Sequence, residues 1–248
     1  FDTSEYSVKI AGEVSIDLNT FFSKKDLNKL DRFTAFSIIA ADQAILQSKL
    51  NKSKSNPNRI GVIIGSGIGG ISTFEKQHKR LLKHPKKVSP YFIPTMISDI
   101  AAGHISIKYG LRGPNYTTVS ACASSTHAII DAMNYIKWNK ADVFIAGGSE
   151  ACVYETGIGG FNAMMALSTR NEDPTTASRP FDKNRDGFVM GEGGGAVILE
   201  EYEHAKKRGA KIYAEILGGG MSADAHHITA PHPEGAGAKK VMDLAVED

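Results

Sequence analysis

The feature of this sequence that most restricts its fold is a series of short apolar runs, rich in β-branched residues, separated by stretches of helical periodicity. Residues 60–64 run into Gly65, 116–119 into Ser120-Ala121, and 143–146 into Gly147-Gly148. A fourth run, 196–199, precedes a charged helical stretch at 200–208, and a fifth, 212–217, ends in Gly218-Gly219-Gly220. Runs this short read as strands covered on both faces. Helical spacing fills most of the intervals, at 71–82, 95–109 and 123–138. The alternation predicts an α/β fold around a largely parallel, doubly covered sheet. Ahead of the first strand, Ser23 and Asp26 resemble a capping box. Leu27, Leu30, Phe33, Ile38, Ala41 and Ile45 follow at helical spacing. The polar residues 51–58 read as a surface loop between helix and strand.

The 248 residues suffice for a sizeable core in one or two domains. A formal net charge of +2 is too small to argue for nucleic acid, and no apolar run is long enough to span a membrane. Two cysteines, Cys122 and Cys152, make no disulfide framework and suit a reducing compartment. The chain opens Phe1-Asp2-Thr3 without Met or a signal-peptide pattern, so its start is expected to lie inside a longer gene product.

The sharpest local motif is Thr117-Thr118-Val119-Ser120-Ala121-Cys122-Ala123-Ser124-Ser125. A β-rich run ends in tiny residues, a thiol sits at the break, and an apolar-periodic helix follows. Small neighbours permit a tight turn, and a helix N-terminus favours the thiolate. The pattern alone leaves two readings of Cys122, a nucleophile or a buried structural cysteine. Gly65-Ser66-Gly67-Ile68-Gly69-Gly70 satisfies G-x-G-x-x-G after a strand. A dinucleotide site also needs an acid about 20 residues on, and 85–96 has neither an acid nor a clean strand. The glycines therefore read as a strand-to-helix turn. Asp182 to Gly187 imitates the opening of an EF-hand loop, but its twelfth position is Gly193 rather than Glu. His226, His227 and His232 with Asp224 match no zinc spacing, so no metal is expected. His127 falls five positions after Cys122, about 140° around a helix, and makes a poor base for it. Cys152 reads as a packing residue. Lys24, Lys25 and Lys29, with Lys83, Lys86 and Lys87, form two basic clusters, either a solvated face or a surface for an acidic partner.

Leu167-Ser168-Thr169-Arg170-Asn171, the segment 177–182, Arg185-Asp186-Gly187-Phe188-Val189-Met190-Gly191-Glu192-Gly193, Gly110-Leu111-Arg112-Gly113-Pro114, the stretch 200–210 and the Ser120-Ala121-Cys122 elbow resemble the β-ketoacyl-acyl-carrier-protein synthase family, in its synthase II branch. The resemblance runs in order over nearly the whole chain. It implies a thiolase-like α/β fold: residues 1–210 would form the N-terminal βαβαβ-type half without its first strand. Residues 211–248 would begin the C-terminal half, with its first strand at 212–217. The activity implied is a decarboxylative Claisen condensation of fatty-acid elongation, without a cofactor, on Cys122 as the acyl-accepting nucleophile. Ile68 matches a pocket gate, Ala121, Gly157 and Phe161 match pocket walls, and Thr229 a pantetheine contact. Phe92 matches a residue reaching the partner's pocket across a homodimer. Lys25, Lys29, Lys86 and Lys87 match a surface that docks acyl carrier protein, in its acyl and malonyl forms. The family acts in the bacterial cytosol or an organelle stroma. Its catalytic histidines fall after residue 248, so this stretch alone is expected to be inactive in condensation. Neighbouring readings are a polyketide-type ketosynthase, a coenzyme-A-dependent thiolase, and a non-catalytic partner subunit, which the intact Cys122 opposes.

Overall fold

The computed structural model describes residues 1–50 and 55–248; of the loop expected at 51–58, residues 51–54 lie outside them. In chain order the helices are α1 (Lys24–Leu27), α2 (Arg32–Ser48), α3 (Ile71–Lys83), α4 (Phe92–Met96), α5 (Ile100–Tyr109), α6 (Ser124–Lys137), α7 (Glu155–Ala163), α8 (Tyr202–Lys207) and α9 (Ala236–Glu247). The strands β1 (Ile60–Gly65), β2 (Asn115–Tyr116), β3 (Val143–Glu150) and β4 (Gly193–Glu200) form one sheet in the order β2-β1-β3-β4.

All six residues of β1 are buried because both faces of the sheet are covered. Val62, Ile64, Val143 and Ile145 pack under α2 and α5 with Phe33, Phe36, Ile38, Ala101 and Ile105. Their alternates Ile63, Phe144 and Ala146 pack under α6 with Ala128, Ala132 and Met133. A side chain at Gly61 would place its Cβ 2.1 Å from the Phe144 ring, so the glycine makes room for that ring. Burying Phe144 and its neighbours contributes about 2–3 kcal/mol each.

The first three strands are parallel, as expected, but β4 runs antiparallel to β3. The reason lies in the excursion from 151 to 192, which returns beside the end of β3 that it left, pairing Glu150 with Gly193. The run at 116–119 stays in the sheet only through Tyr116. Beyond it the chain turns out of the ladder into the elbow, held there by the Ser66 N–H donating to the Thr118 carbonyl at 3.3 Å. The run at 212–217 forms no strand among the described residues, and its residues are exposed. Of the following glycines, Gly219 lies against α6, its Cβ position 2.9 Å from Ile130, while Gly218 and Gly220 lie against α9.

Two helices expected to be continuous are broken. Ser23 does cap α1, its hydroxyl accepting from the Asp26 N–H at 3.2 Å. The helix stops there, and Asp31 caps α2 afresh through the Phe33 N–H. The other oxygen of buried Asp31 accepts from the Ser72 hydroxyl at 2.7 Å, the Thr73 N–H at 3.0 Å and the Thr73 hydroxyl at 2.6 Å. One carboxylate thus serves the first turns of α2 and α3. Between α4 and α5, the Met96 carbonyl accepts from the Gly70 N–H at 2.9 Å rather than continuing the helix.

Candidate active site

The site is assembled at the C-terminal ends of the parallel strands, where α/β sheets hold their ligands. Ser120 (φ −147°, ψ 48°) ends the outgoing segment, and Ala121 takes a left-handed φ of 49°. A single 3₁₀ turn, Ala121–Ala123, then leads into α6. A positive φ in a non-glycine residue costs about 1–3 kcal/mol and persists only where surroundings enforce it. Ser124 does much of that. Its hydroxyl donates to the Ala121 carbonyl at 2.6 Å and accepts from the Ser120 N–H at 2.9 Å, while its carbonyl accepts from the Thr118 hydroxyl at 2.7 Å. Gly65 and Gly148 let the start of α6 settle onto the strand ends: a Cβ at Gly65 would lie 2.4 Å from the Ser124 carbonyl carbon, and one at Gly148 2.6 Å from the Ser125 Cβ.

Cys122 is a free thiol exposed on this turn. Among the described residues its sulfur and its backbone N–H make no hydrogen bond. Cys152 is its opposite: the side chain is buried, and burial foremost, with the nearby Glu150 charge, pushes its thiol far above the ordinary range. The packing role expected for it holds. His127 turns to Ser120, with Nδ1 2.7 Å from that hydroxyl, and so does not serve Cys122 as a base.

The Gly65–Gly70 turn lies against the elbow, the Cβ position of Gly67 being 3.6 Å from Ala121 Cα. Its backbone amides resemble a phosphate cradle, but the anion they hold belongs to the chain. Glu150, the last residue of β3, accepts from the Gly67 N–H at 2.6 Å, the Ile68 N–H at 3.2 Å and the Ser66 hydroxyl at 3.2 Å. This explains why the glycine pattern occurs without a dinucleotide partner acid. The EF-hand imitation has a similar explanation. Asp186 accepts from the Ser168 hydroxyl at 2.8 Å and the Thr169 N–H at 3.0 Å, and pairs with Arg179 at 3.1 Å. Among the described residues no group of three or more His, Cys, Asp or Glu side chains could hold a metal ion.

Of the residues singled out in the sequence, Ala121 adjoins Cys122, and Ile68 crests the glycine turn whose Gly67 approaches Ala121; Ile68 is 43% exposed. Gly157 is buried on α7, where a Cβ would meet the Cys152 carbonyl at 2.1 Å. Phe161, also on α7, stands edge-on to Phe188 at 5.4 Å and packs on the cluster of Val8, Cys152, Val153 and Ile158. Both sit behind the segment that follows Glu150. Phe92 opens α4 and leans on Phe74 at 6.3 Å, flanked by exposed Tyr91 and Ile93. Thr229 lies in an exposed segment, its N–H donating to His227 Nδ1 at 3.2 Å, and makes no hydrogen bond to the elbow. Lys25, Lys86 and Lys87 are exposed. Lys29 lies over the Tyr91 ring at 4.9 Å, and its carbonyl accepts from the Thr95 hydroxyl at 3.2 Å. Of the two basic clusters, only Lys29 contacts Tyr91. Glu150 and Ser66 were not singled out by sequence. The available signal was a turn of free amides with no phosphate role, which requires an anion from elsewhere.

Residues 2–205 match the family model described as beta-ketoacyl synthase, N-terminal domain. The chain is 49% identical over 250 residues to 3-oxoacyl-[acyl-carrier-protein] synthase 2 of Vibrio cholerae, covering 100% of this chain and 60% of that protein. It is 48% identical over 249 residues to the Staphylococcus aureus protein of the same name, covering 100% of this chain and 62% of the relative. Among solved structures, a beta-ketoacyl synthase from Burkholderia phymatum superposes with a TM-score of 0.88 at 31% identity, over 98% of this chain and 59% of that one. A type II polyketide ketosynthase, solved in complex with its acyl-carrier protein, superposes with a TM-score of 0.91 at 31% identity, over 100% of this chain and 61% of that one. The chain thus spans about 60% of the length of the first of these curated relatives. Among the described residues no helix is long and apolar enough to cross a membrane.

Proposed function

This chain belongs to the β-ketoacyl synthase family, with that family's thiolase-like fold, and from that premise we propose that it works within a 3-oxoacyl-acyl-carrier-protein synthase whose acyl acceptor is Cys122. The observation that carries the reading is the exposed thiol on a strained turn at the start of α6, with its own N–H unengaged. The Cys122 thiolate attacks the thioester carbonyl of an acyl carrier protein, forming the new S–C bond. The Cys122 N–H stabilises the charge developing on the oxygen. Collapse of the tetrahedral intermediate expels the carrier thiolate, which takes up a proton. Malonyl-carrier protein then loses CO2. The electron pair of the broken C–C bond attacks the acyl carbonyl, and the Cys122 thiolate leaves as the 3-ketoacyl product forms.

Around this thiol we assign Ile68 as the gate of the acyl pocket and Ala121, Gly157 and Phe161 as its walls; the nearness of Ile68 to the elbow supports the first. Thr229 is assigned to the pantetheine arm. Phe92 is assigned to a homodimer partner's pocket, which its exposed apolar flanks Tyr91 and Ile93 support. Lys25, Lys29, Lys86 and Lys87 are assigned to the acidic carrier protein, supported by the exposure of Lys25, Lys86 and Lys87. The family match ending at residue 205 supports a first half closing near 210, with 211–248 opening the second. Two unpaired cysteines support a reducing setting, the cytoplasm or an organelle stroma. Fatty-acid elongation is preferred over polyketide synthesis because the more similar relatives carry the former name.

The test is intact-protein mass spectrometry of the full-length protein before and after exposure to an acyl-carrier-protein thioester. One acyl adduct that disappears in Cys122→Ser is the expected result. An adduct that survives the substitution, or none in the unaltered protein, overturns the assignment.

A further inference from the structure

The site as described has no task for its most heavily hydrogen-bonded carboxylate. Glu150 sits at the end of β3 with three donors turned onto it from one turn: the Gly67 N–H, the Ile68 N–H and the Ser66 hydroxyl. Ser66 is itself buried, and its oxygen also accepts the Gly69 N–H at 3.1 Å. The carboxylate therefore fixes four consecutive residues, 66–69, directly or through one hydroxyl. At Gly67 the fit is close. A Cβ there would lie 3.0 Å from Glu150 Oε2 on one side and 3.6 Å from Ala121 on the other. The turn is thus clamped between Glu150 and the elbow that presents Cys122. Its one large side chain is Ile68, exposed although apolar.

We propose that Glu150 is a positioning residue for acyl-chain selectivity: by clamping the Ser66–Gly69 amides it holds Ile68 where an acyl chain arriving at Cys122 must pass. This rests on the reading of Cys122 as acyl acceptor and adds to it the group that sets which chains are accepted. The clamp depends on charge and on two equivalent oxygens. A carboxamide of the same shape accepts at one oxygen only and turns an N–H₂ toward donors. Glu150→Gln therefore frees at least one amide of the turn, and Ile68 with it, while leaving Cys122 and its elbow in place.

The experiment measures acylation of Cys122 in the full-length protein by hexanoyl and dodecanoyl N-acetylcysteamine thioesters, which need no carrier-protein docking. The reading is the ratio of the two second-order rates. The expected result is that Glu150→Gln shifts this ratio by about tenfold, the lower end of what one methylene commands in an apolar pocket. Ser66→Ala, which removes one of the three donors, should shift it less and in the same direction. A role confined to stability would depress both rates together. An unchanged ratio in a folded Glu150→Gln protein overturns the inference and leaves the role of Cys122 standing. If Glu150→Gln does not fold, the Ser66→Ala ratio decides: shifted supports the clamp, unchanged overturns it. Failure of the unaltered protein to acylate at Cys122 overturns both readings.

Discussion

At Ala121 the backbone adopts a φ of 49°, which an alanine takes only under compulsion. The compulsion comes from how closely α6 approaches the strand ends, and Gly65 is where that approach is tightest. A Cβ at Gly65 would stand 2.4 Å from the Ser124 carbonyl carbon and 2.6 Å from the Ser125 N. These are backbone atoms that can move only if the start of α6 moves. Gly65→Ala should therefore cost about 1–3 kcal/mol of stability. It should also displace the elbow and slow alkylation of Cys122 by iodoacetamide, followed by mass spectrometry beside a thermal melt. Equal melting temperatures and equal alkylation rates would contradict the packing described. The elbow itself was legible in the sequence, because a strand, tiny residues, a thiol and a helix follow one another within a few positions. Glu150 was not, because its partner Gly67 lies 83 residues away in the chain. No periodicity or spacing records a contact of that range.

Helix boundaries show the same limit at the scale of elements. Apolar spacing runs uninterrupted through 27–45 and gives no sign that α1 ends at Leu27. The break is decided by Asp31, which the spacing treats as one polar position but the fold uses as a buried cap for two helices. Asp31→Ala would leave the Thr73 N–H and the Ser72 and Thr73 hydroxyls without their acceptor, a loss of about 2–4 kcal/mol in a chemical denaturation midpoint analysis. Asp31→Asn retains one acceptor oxygen and should lose less. A smaller effect for alanine than for asparagine would refute the shared cap. On α5, burial lowers the pKa of His104 below its ordinary 6.5. The folded state then binds the proton less readily than the unfolded chain. The stability this confers is present above about pH 6.5 and is lost as pH falls through the folded value. Melting temperatures of His104→Gln, compared with the unaltered chain between about pH 7 and about pH 5, should decline less steeply with acid. Parallel curves would remove His104 from the pH response.

For the molecule as a whole, the fold class was readable because continuous apolar strands force coverage on both faces. The antiparallel direction of β4 was not, since it follows from where a long excursion re-enters the sheet. The same whole-chain view bears on how far the chemistry of these 248 residues extends. Each of the eight histidines has a placement elsewhere. His78 stacks on Phe74, His84 caps the turn at Pro85–Lys87, His104 is partly buried on α5, and His127 meets Ser120. His204 pairs with Glu200, His226 with His232, and His227 accepts from Thr229. None hydrogen-bonds the Cys122 sulfur among the described residues. Acyl transfer to an exposed thiol needs little beyond the thiolate and an oxyanion donor. Decarboxylation needs more, namely donors placed to hold the enolate that forms as CO2 departs. We therefore expect residues 1–248 alone, once circular dichroism shows them folded, to yield no 3-ketoacyl product from malonyl-carrier protein, while the full-length protein yields it. Product from the 248-residue chain would mean that its own side chains complete the second step, and the division of labour drawn here would have to be abandoned.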